Sequence, residues 1–144
     1  MAIVNVYLTF DGDCEEAFEL YRSVFGGEFA MKSHFSEMPP DPDHPIDDGH
    51  KDRIMHVTLP IGGETVLMGS DTMPGMSPQL KQGNNFSISV ATESREEADR
   101  MFAALAEGGT VTMPQADTFW NSYFGMCRDR FGVQWMVDYT EAPA

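Results

Sequence analysis

The feature that most constrains the fold of this chain is an internal repeat with an offset of 81 residues. In each copy a strand-like segment rich in β-branched and aromatic residues precedes apolar residues at the i, i+3, i+4 and i+7 spacing of one helix face. The repeated helical positions are Ala17, Leu20, Tyr21 and Val24 in the first copy and Ala98, Met101, Phe102 and Leu105 in the second. A single module that occurs twice is therefore predicted.

Residues typical of helix termini lie at both ends of each predicted helix. Asp13 and Ser94 are predicted N-caps, each with a glutamate three residues later, and a pair of glycines ends each helix. Three further strand-like segments follow each helix. The pattern predicts an α+β fold in which one domain, residues 1–144, holds two β-α-β-β-β modules at residues 1–76 and 84–140.

The first module contains an insert at residues 36–52 that carries several prolines and six acidic residues. This composition predicts a solvated, mobile loop. His44 and His50 lie in this loop and are interpreted as solvated side chains. The histidine spacings match no familiar metal motif.

Composition excludes several classes of partner. The formal net charge of −14 disfavours binding to nucleic acid or to an anionic membrane surface. No apolar run approaches the roughly 20 residues that span a bilayer, and the first ten residues do not read as a signal peptide. Cys14 and Cys127 suggest free thiols in a reducing cytoplasm, and one long-range disulfide is the alternative. A cytoplasmic protein is expected.

The sequence resembles the PhnB-like branch of the vicinal oxygen chelate superfamily, which includes glyoxalases, bleomycin-resistance proteins and extradiol dioxygenases. Members of this branch have often been labelled demethylubiquinone methyltransferase-like. The matching stretches cover most of the chain and are "YLTFDGDCEEAFELYRSVFGGE", "FSEMP", "IMHVTLPIGGETVLMGSD" and "FWNSYFGMCRDRFGVQWMV". The resemblance implies that the modules form curved antiparallel half-barrels around a cleft, in a homodimer.

In enzymes of the superfamily a divalent metal lies in the cleft, held by His or Glu of the first and last strands of the modules. The corresponding stretches here offer Asn5, Tyr7 and Met68 in one copy and Ser87 and Met136 in the other. A thioether is a poor ligand for a hard or borderline divalent ion. No metal site and no cofactor are therefore expected, and a divalent metal held by His56, Asp71 and Asp138 is the alternative.

A small-molecule pocket is the main functional prediction. His56 lies in a strand expected to line the cleft, where it is either a structural histidine or a group that binds ligand or transfers protons. In the last strand, Val133, Trp135 and Val137 alternate with Gln134, Met136 and Asp138. The turn Arg128-Asp129-Arg130 is expected in solvent, capped by Asp129. The predicted pocket residues are Tyr7, His56, Met68, Ser70, Ser87, Trp120, Tyr123, Trp135 and Met136.

Three functional hypotheses follow from these residues and the resemblance. The first is a protein that binds a small, partly apolar ligand in an aromatic and methionine-lined cleft without the standard metal. The second is a metal-dependent lyase, isomerase or dioxygenase-type enzyme with unusual ligands, and the third is a protein that only sequesters its ligand. Methyltransferase activity is rejected, because the repeat leaves no room for a doubly wound sheet with a glycine-rich cofactor loop. The residues do not decide whether turnover follows binding.

Overall fold

The computed structural model describes residues 1–141, and the chain divides into two compact units, Met1–Lys81 and Gln82–Ala144. The first unit contains β1 (Val6–Phe10), α1 (Cys14–Phe25), β2 (Met31–His34), β3 (Ile54–Gly62) and β4 (Thr65–Asp71). The second contains β5 (Ile88–Ala91), α2 (Arg95–Ala106), β6 (Thr110–Asp117), β7 (Ser122–Arg128) and β8 (Gln134–Thr140). The predicted α+β fold of two β-α-β-β-β modules is confirmed.

Each unit holds one open four-stranded sheet, and the two sheets have equivalent strand orders, β1-β4-β3-β2 and β5-β8-β7-β6. The expectation of wholly antiparallel strands is wrong for one pair in each sheet, since β1 is parallel to β4 and β5 to β8. The helix returns the chain to the starting end of the sheet, so the strand after it runs in the direction of the first strand. Two antiparallel reversals then leave the last strand parallel to the first.

In the first unit, α1 packs on one face of the sheet through Phe18 and other buried residues. A Cβ atom at Gly69 of β4 would lie 2.9 Å from a ring carbon of Phe18, so glycine allows this close approach. The predicted cap of α1 is corrected: the Asp13 side chain makes no capping bond. Instead, Cys14 N–H donates to Asp71 Oδ1 over 3.0 Å, which caps the helix from the end of β4.

In the second unit, α2 covers the sheet through Ala98, Met101, Phe102 and Leu105, the four residues predicted from the repeat. The predicted cap is confirmed here, because Ser94 Oγ accepts a hydrogen bond from Glu97 N–H over 3.0 Å. Trp135 and Val137 are fully buried in this core and alternate with more accessible neighbours as predicted, whereas Val133, just before β8, is only half-buried.

Most of the loop between β2 and β3 is exposed to solvent. It contains two short 3-10 helices, Phe35–Glu37 and Asp48–His50. At its base Ser36 N–H donates to the Lys51 carbonyl over 2.9 Å, which closes the loop on itself. Within residues 1–141 no helix has the length and apolar character needed to cross a membrane.

Candidate functional site

The sheet of the first unit has one face covered by α1 and one open face, and four predicted pocket residues lie on the open face. Tyr7 and Met68 are direct partners across β1 and β4, and Thr58 of β3 pairs with Met68 in turn. Side chains of directly paired residues lie on the same face of a sheet. Ser70 and His56 are each two residues from this row on β4 and β3, so they share its face.

Polar contacts tie these side chains together. Tyr7 O–H donates to Ser70 Oγ over 3.0 Å, and the ring centroids of Tyr7 and His56 are 5.8 Å apart. His56 Nε2 lies 2.8 Å from Thr58 Oγ1. Tyr7 keeps 49% of its surface exposed. An aromatic ring, an imidazole, a thioether and two hydroxyls therefore meet on one accessible surface, which we call the first open face.

The open face of the second unit is richer in apolar side chains. Met136 of β8 pairs with Met126 of β7 and with Ser89 of β5. Phe124 lies two residues from Met126, and its ring centroid is 6.3 Å from that of Trp120. Trp120 is 55% exposed in the turn before β7.

Two predicted pocket residues lie on the other side of this sheet. Trp135 is 0% exposed, and its Nε1–H donates to Asp129 Oδ2 over 2.9 Å. Tyr123 O–H donates to Asp99 Oδ1 of α2 over 2.6 Å, and the Arg95 guanidinium lies 4.3 Å from the centre of its ring. The hydrogen bond to Asp99 raises the pKa of Tyr123. Trp135 is thus a core residue and Tyr123 a helix-packing residue. Ser87 lies half-buried just before β5.

The interpretation of the turn at Asp129 is also corrected. Asp129 is 3% exposed rather than solvated. Its Oδ1 accepts hydrogen bonds from Phe131 N–H and Val133 N–H over 2.9 and 3.0 Å, while Oδ2 binds the Trp135 indole. The carboxylate does cap the turn, as predicted, but it does so from within the core. Such a buried charge is tolerated because charge-assisted hydrogen bonds satisfy it.

Asp71, one of the three alternative metal ligands, is already engaged by backbone hydrogen bonds. Asp71 Oδ1 accepts from Gly12 N–H and Cys14 N–H, and Oδ2 accepts from Ile54 N–H. A carboxylate that satisfies three backbone donors is a structural cap, and a cation would displace those bonds. His56 contacts a threonine hydroxyl, and within residues 1–141 no group of three or more His, Cys, Asp or Glu side chains is placed to hold a metal ion.

The two cysteines are free thiols and both are buried. Burial raises the pKa of the Cys127 thiol to about 11, and the Asp129 charge acts in the same direction. The pKa of Cys14 is also raised, first by burial and then by Asp71. Since the thiolate is the nucleophilic form, neither cysteine is prepared for covalent catalysis.

Sequence reasoning missed Thr58, Phe124 and Met126 on the open faces. The pairing register of the hairpin strands is the feature of the sequence that could have located these residues. Counting back from the turn at Asp129 pairs Met126 with Met136, and places Phe124 opposite Asp138. The first open face can hold a small molecule by stacking on Tyr7 and by hydrogen bonding to His56 or Ser70.

Comparisons with a family model, with a curated protein and with solved structures all point to the same family. A model described as 3-demethylubiquinone-9 3-methyltransferase matches residues 2–138. Protein YjdN of Escherichia coli K12 is 31% identical over 141 residues, covering 94% of this chain and 93% of its own. Protein PA1353 of Pseudomonas aeruginosa is 40% identical, with 99% of this chain and 100% of its own covered and a TM-score of 0.86.

Two further solved structures extend this likeness. A putative 3-demethylubiquinone-9 3-methyltransferase, PhnB protein, from Bacillus cereus is 26% identical, with coverage of 96% and 100% and a TM-score of 0.77. A glyoxylase/bleomycin resistance protein/dioxygenase domain from Frankia sp. EAN1pec is 13% identical, with coverage of 100% and 95% and a TM-score of 0.67. The Frankia domain shows a shared fold alone.

Proposed function

This chain belongs to the PhnB-like 3-demethylubiquinone-9 3-methyltransferase family and has the glyoxalase/bleomycin-resistance/dioxygenase fold, and from that premise we propose that it binds a small, partly apolar molecule on its first open face. The observation that carries the proposal is the meeting of Tyr7, His56, Met68 and Ser70 on one accessible face. Convergent polar groups beside aromatic and thioether surface are typical of small-molecule sites. No cofactor is part of the proposal.

The chemistry of the face defines the class of ligand. Tyr7 and Met68 offer a polarizable apolar surface on which an aromatic ring can lie. His56 and Ser70 offer hydrogen bonds to one oxygen substituent, such as a hydroxyl or a ketone. We therefore infer a monoaromatic compound with one polar oxygen as the minimal ligand.

The description of the family model names a methyltransferase, but we propose no methyl transfer for this chain. Each described sheet is a four-stranded mixed sheet with one helix, and neither is a doubly wound parallel sheet. In such folds a glycine-rich loop follows a parallel strand and leads into a helix, and this loop has no counterpart at α1 or α2. Here the side chain of Asp71 caps the start of α1, and the side chain of Ser94 caps the start of α2. Binding is thus the proposed activity, with or without turnover.

A panel of phenols and aryl ketones tests the proposal by thermal unfolding and calorimetry. At least one compound is expected to stabilise the protein saturably, because a ligand specific for the folded state raises its stability. His56→Gln and Met68→Ala should each weaken its binding by about fivefold or more, the effect of one lost hydrogen bond or apolar contact. His50→Gln is the matched control, since His50 lies in the acidic loop and pairs with Asp47. Equal binding by all three variants and the parent would contradict the proposal.

We also propose a cytoplasmic homodimer. Phe119 and Trp120 support the dimer, because their rings meet edge to face with centroids 4.9 Å apart while Phe119 is 96% exposed. Exposed aromatic pairs of this kind are common in protein interfaces. Light scattering after gel filtration should give a dimer mass, and Phe119→Ser with Trp120→Ser should shift it toward the monomer. A monomeric parent protein would end this part of the proposal.

A further inference from the structure

The loop between β2 and β3, together with Met76, lines a solvent-open cavity of about 490 Å³ that shares no residue with the first open face. This volume falls in the range of small-molecule sites, about 300–1,000 Å³. Most of the wall is apolar and includes four prolines. The main apolar side chains besides the prolines are Phe35, Met38, Ile46 and Met76.

The cavity is held open by covalent and backbone constraints. Pro39, Pro40, Pro42 and Pro45 fix their own φ angles and restrict the residues that precede them. Phe35 N–H donates to the Arg53 carbonyl over 3.0 Å, next to the bond between Ser36 and Lys51 that closes the loop. A preorganised wall reduces the ordering cost of binding a ligand.

The wall carries one paired acid and base, Asp41 and His44. Asp41 Oδ2 lies 3.0 Å from His44 Nδ1, and Asp43 N–H donates to Asp41 Oδ1 over 3.0 Å. The hydrogen bond from His44 lowers the pKa of Asp41, which keeps the carboxylate ionised. An ionised carboxylate has about four lone-pair sites, and these two contacts use one on each oxygen of Asp41, so this side chain can accept a further hydrogen bond from a ligand.

The charges around the cavity favour a cation. Residues 36–52 carry six acidic side chains. Lys51, which also lines the cavity, has its ammonium nitrogen 2.7 Å from Asp48 Oδ1 and is therefore neutralised locally. A concave site with a negative surround concentrates cations and repels anions.

We propose that this cavity is a second binding site, which takes a small organic amine with an apolar body. The apolar body lies among the prolines, Ile46 and Met76, and the ammonium group lies at the Asp41–His44 pair. The site is separate from the first open face, so either proposal can fail without the other.

Calorimetry with three matched probes tests the inference on the full chain at neutral pH. Phenylbutylamine, phenylbutanol and phenylbutyrate share one apolar body and differ in the charge of the terminal group. The amine should bind about tenfold or more tightly than the alcohol, a difference of about 1.4 kcal/mol, and the carboxylate should bind most weakly. Equal affinity for the three probes, or no binding of the amine, would overturn the proposal.

Variants then locate the site. Asp41→Asn should weaken binding of the amine about fivefold or more and leave the alcohol unchanged. Asp43→Asn removes the same charge from the same loop outside the wall and should retain at least half of the parent affinity. Met76→Trp enlarges a side chain of the cavity wall and should abolish binding of both probes. Equal losses in the two Asp variants, or loss of amine binding in His56→Gln, would assign the effect to general charge or to the first open face and refute the proposal.

Discussion

Asp129 shows how a single buried side chain organises its surroundings, because its carboxylate binds two backbone N–H groups and the Trp135 indole. In Asp129→Asn an NH2 group replaces one of the two acceptor oxygens. This group then points at one of the N–H groups that donate to the carboxylate in the parent protein. We expect a loss of about 2–3 kcal/mol in the free energy of unfolding, measured by urea denaturation. Asp138→Asn makes the same change on a half-exposed side chain and should stay within about 0.5 kcal/mol of the parent. Equal stability of the two variants would show that the Asp129 bonds contribute little.

Cys127 gives a prediction about alkaline pH. Its pKa is 9.0 ordinarily and about 11 in the folded protein, so the unfolded chain releases this proton first as the pH rises. The contribution of the protonated thiol to the free energy of unfolding is therefore fully present below pH 9, and it is lost as the pH rises through 11. Unfolding curves between these values should show a smaller pH dependence in Cys127→Ala than in the parent. The same slope in both proteins would contradict the assignment.

The two helices are built on the same pattern but are capped by different means, and this difference is testable at the level of the element. Ser94→Ala removes the bond to Glu97 N–H and should cost about 1 kcal/mol of stability. Asp13→Ala removes no capping bond. Burial raises the pKa of Asp13, and the nearby Asp71 and Glu16 charges add to that effect, so its loss should be neutral or slightly stabilising. The comparison uses urea midpoints, and a larger loss for Asp13→Ala than for Ser94→Ala would contradict the structure.

At the scale of the whole molecule, the question is whether any divalent metal stabilises the fold selectively. The three backbone bonds to Asp71 lead us to expect no saturable, selective rise in unfolding temperature with Mg, Mn, Fe(II), Co, Ni or Zn after chelator treatment. A small, unselective response is expected from the acidic residues 36–52. A clear rise with one metal, abolished in His56→Ala, would instead support the metal-dependent enzyme.

The sequence by itself determined the repeat, the helices and most of the first open face. Each of these depends on local regularities: apolar residues recur every 3.6 positions in a helix and alternate in a strand. Alternation in β4 puts Met68 and Ser70 on one face of the strand. In β8 it separates Met136 from Trp135, although both are predicted pocket residues, so it did not decide which face is covered by the helix.

Only the tertiary structure decided which partners the buried polar groups take. Asp71 caps a helix 57 residues away in sequence, and Trp135 bonds to Asp129 instead of facing a ligand. The Tyr123 side chain points toward α2, because the Asp99 carboxylate of that helix accepts a hydrogen bond from its hydroxyl. The cavity beside the loop between β2 and β3 has the same origin, since backbone bonds between residues distant in sequence close the base of that loop. The spacing of apolar residues in the sequence predicts which face of a helix or strand is buried. The partner of a buried donor or acceptor depends instead on which distant groups the fold brings within about 3 Å.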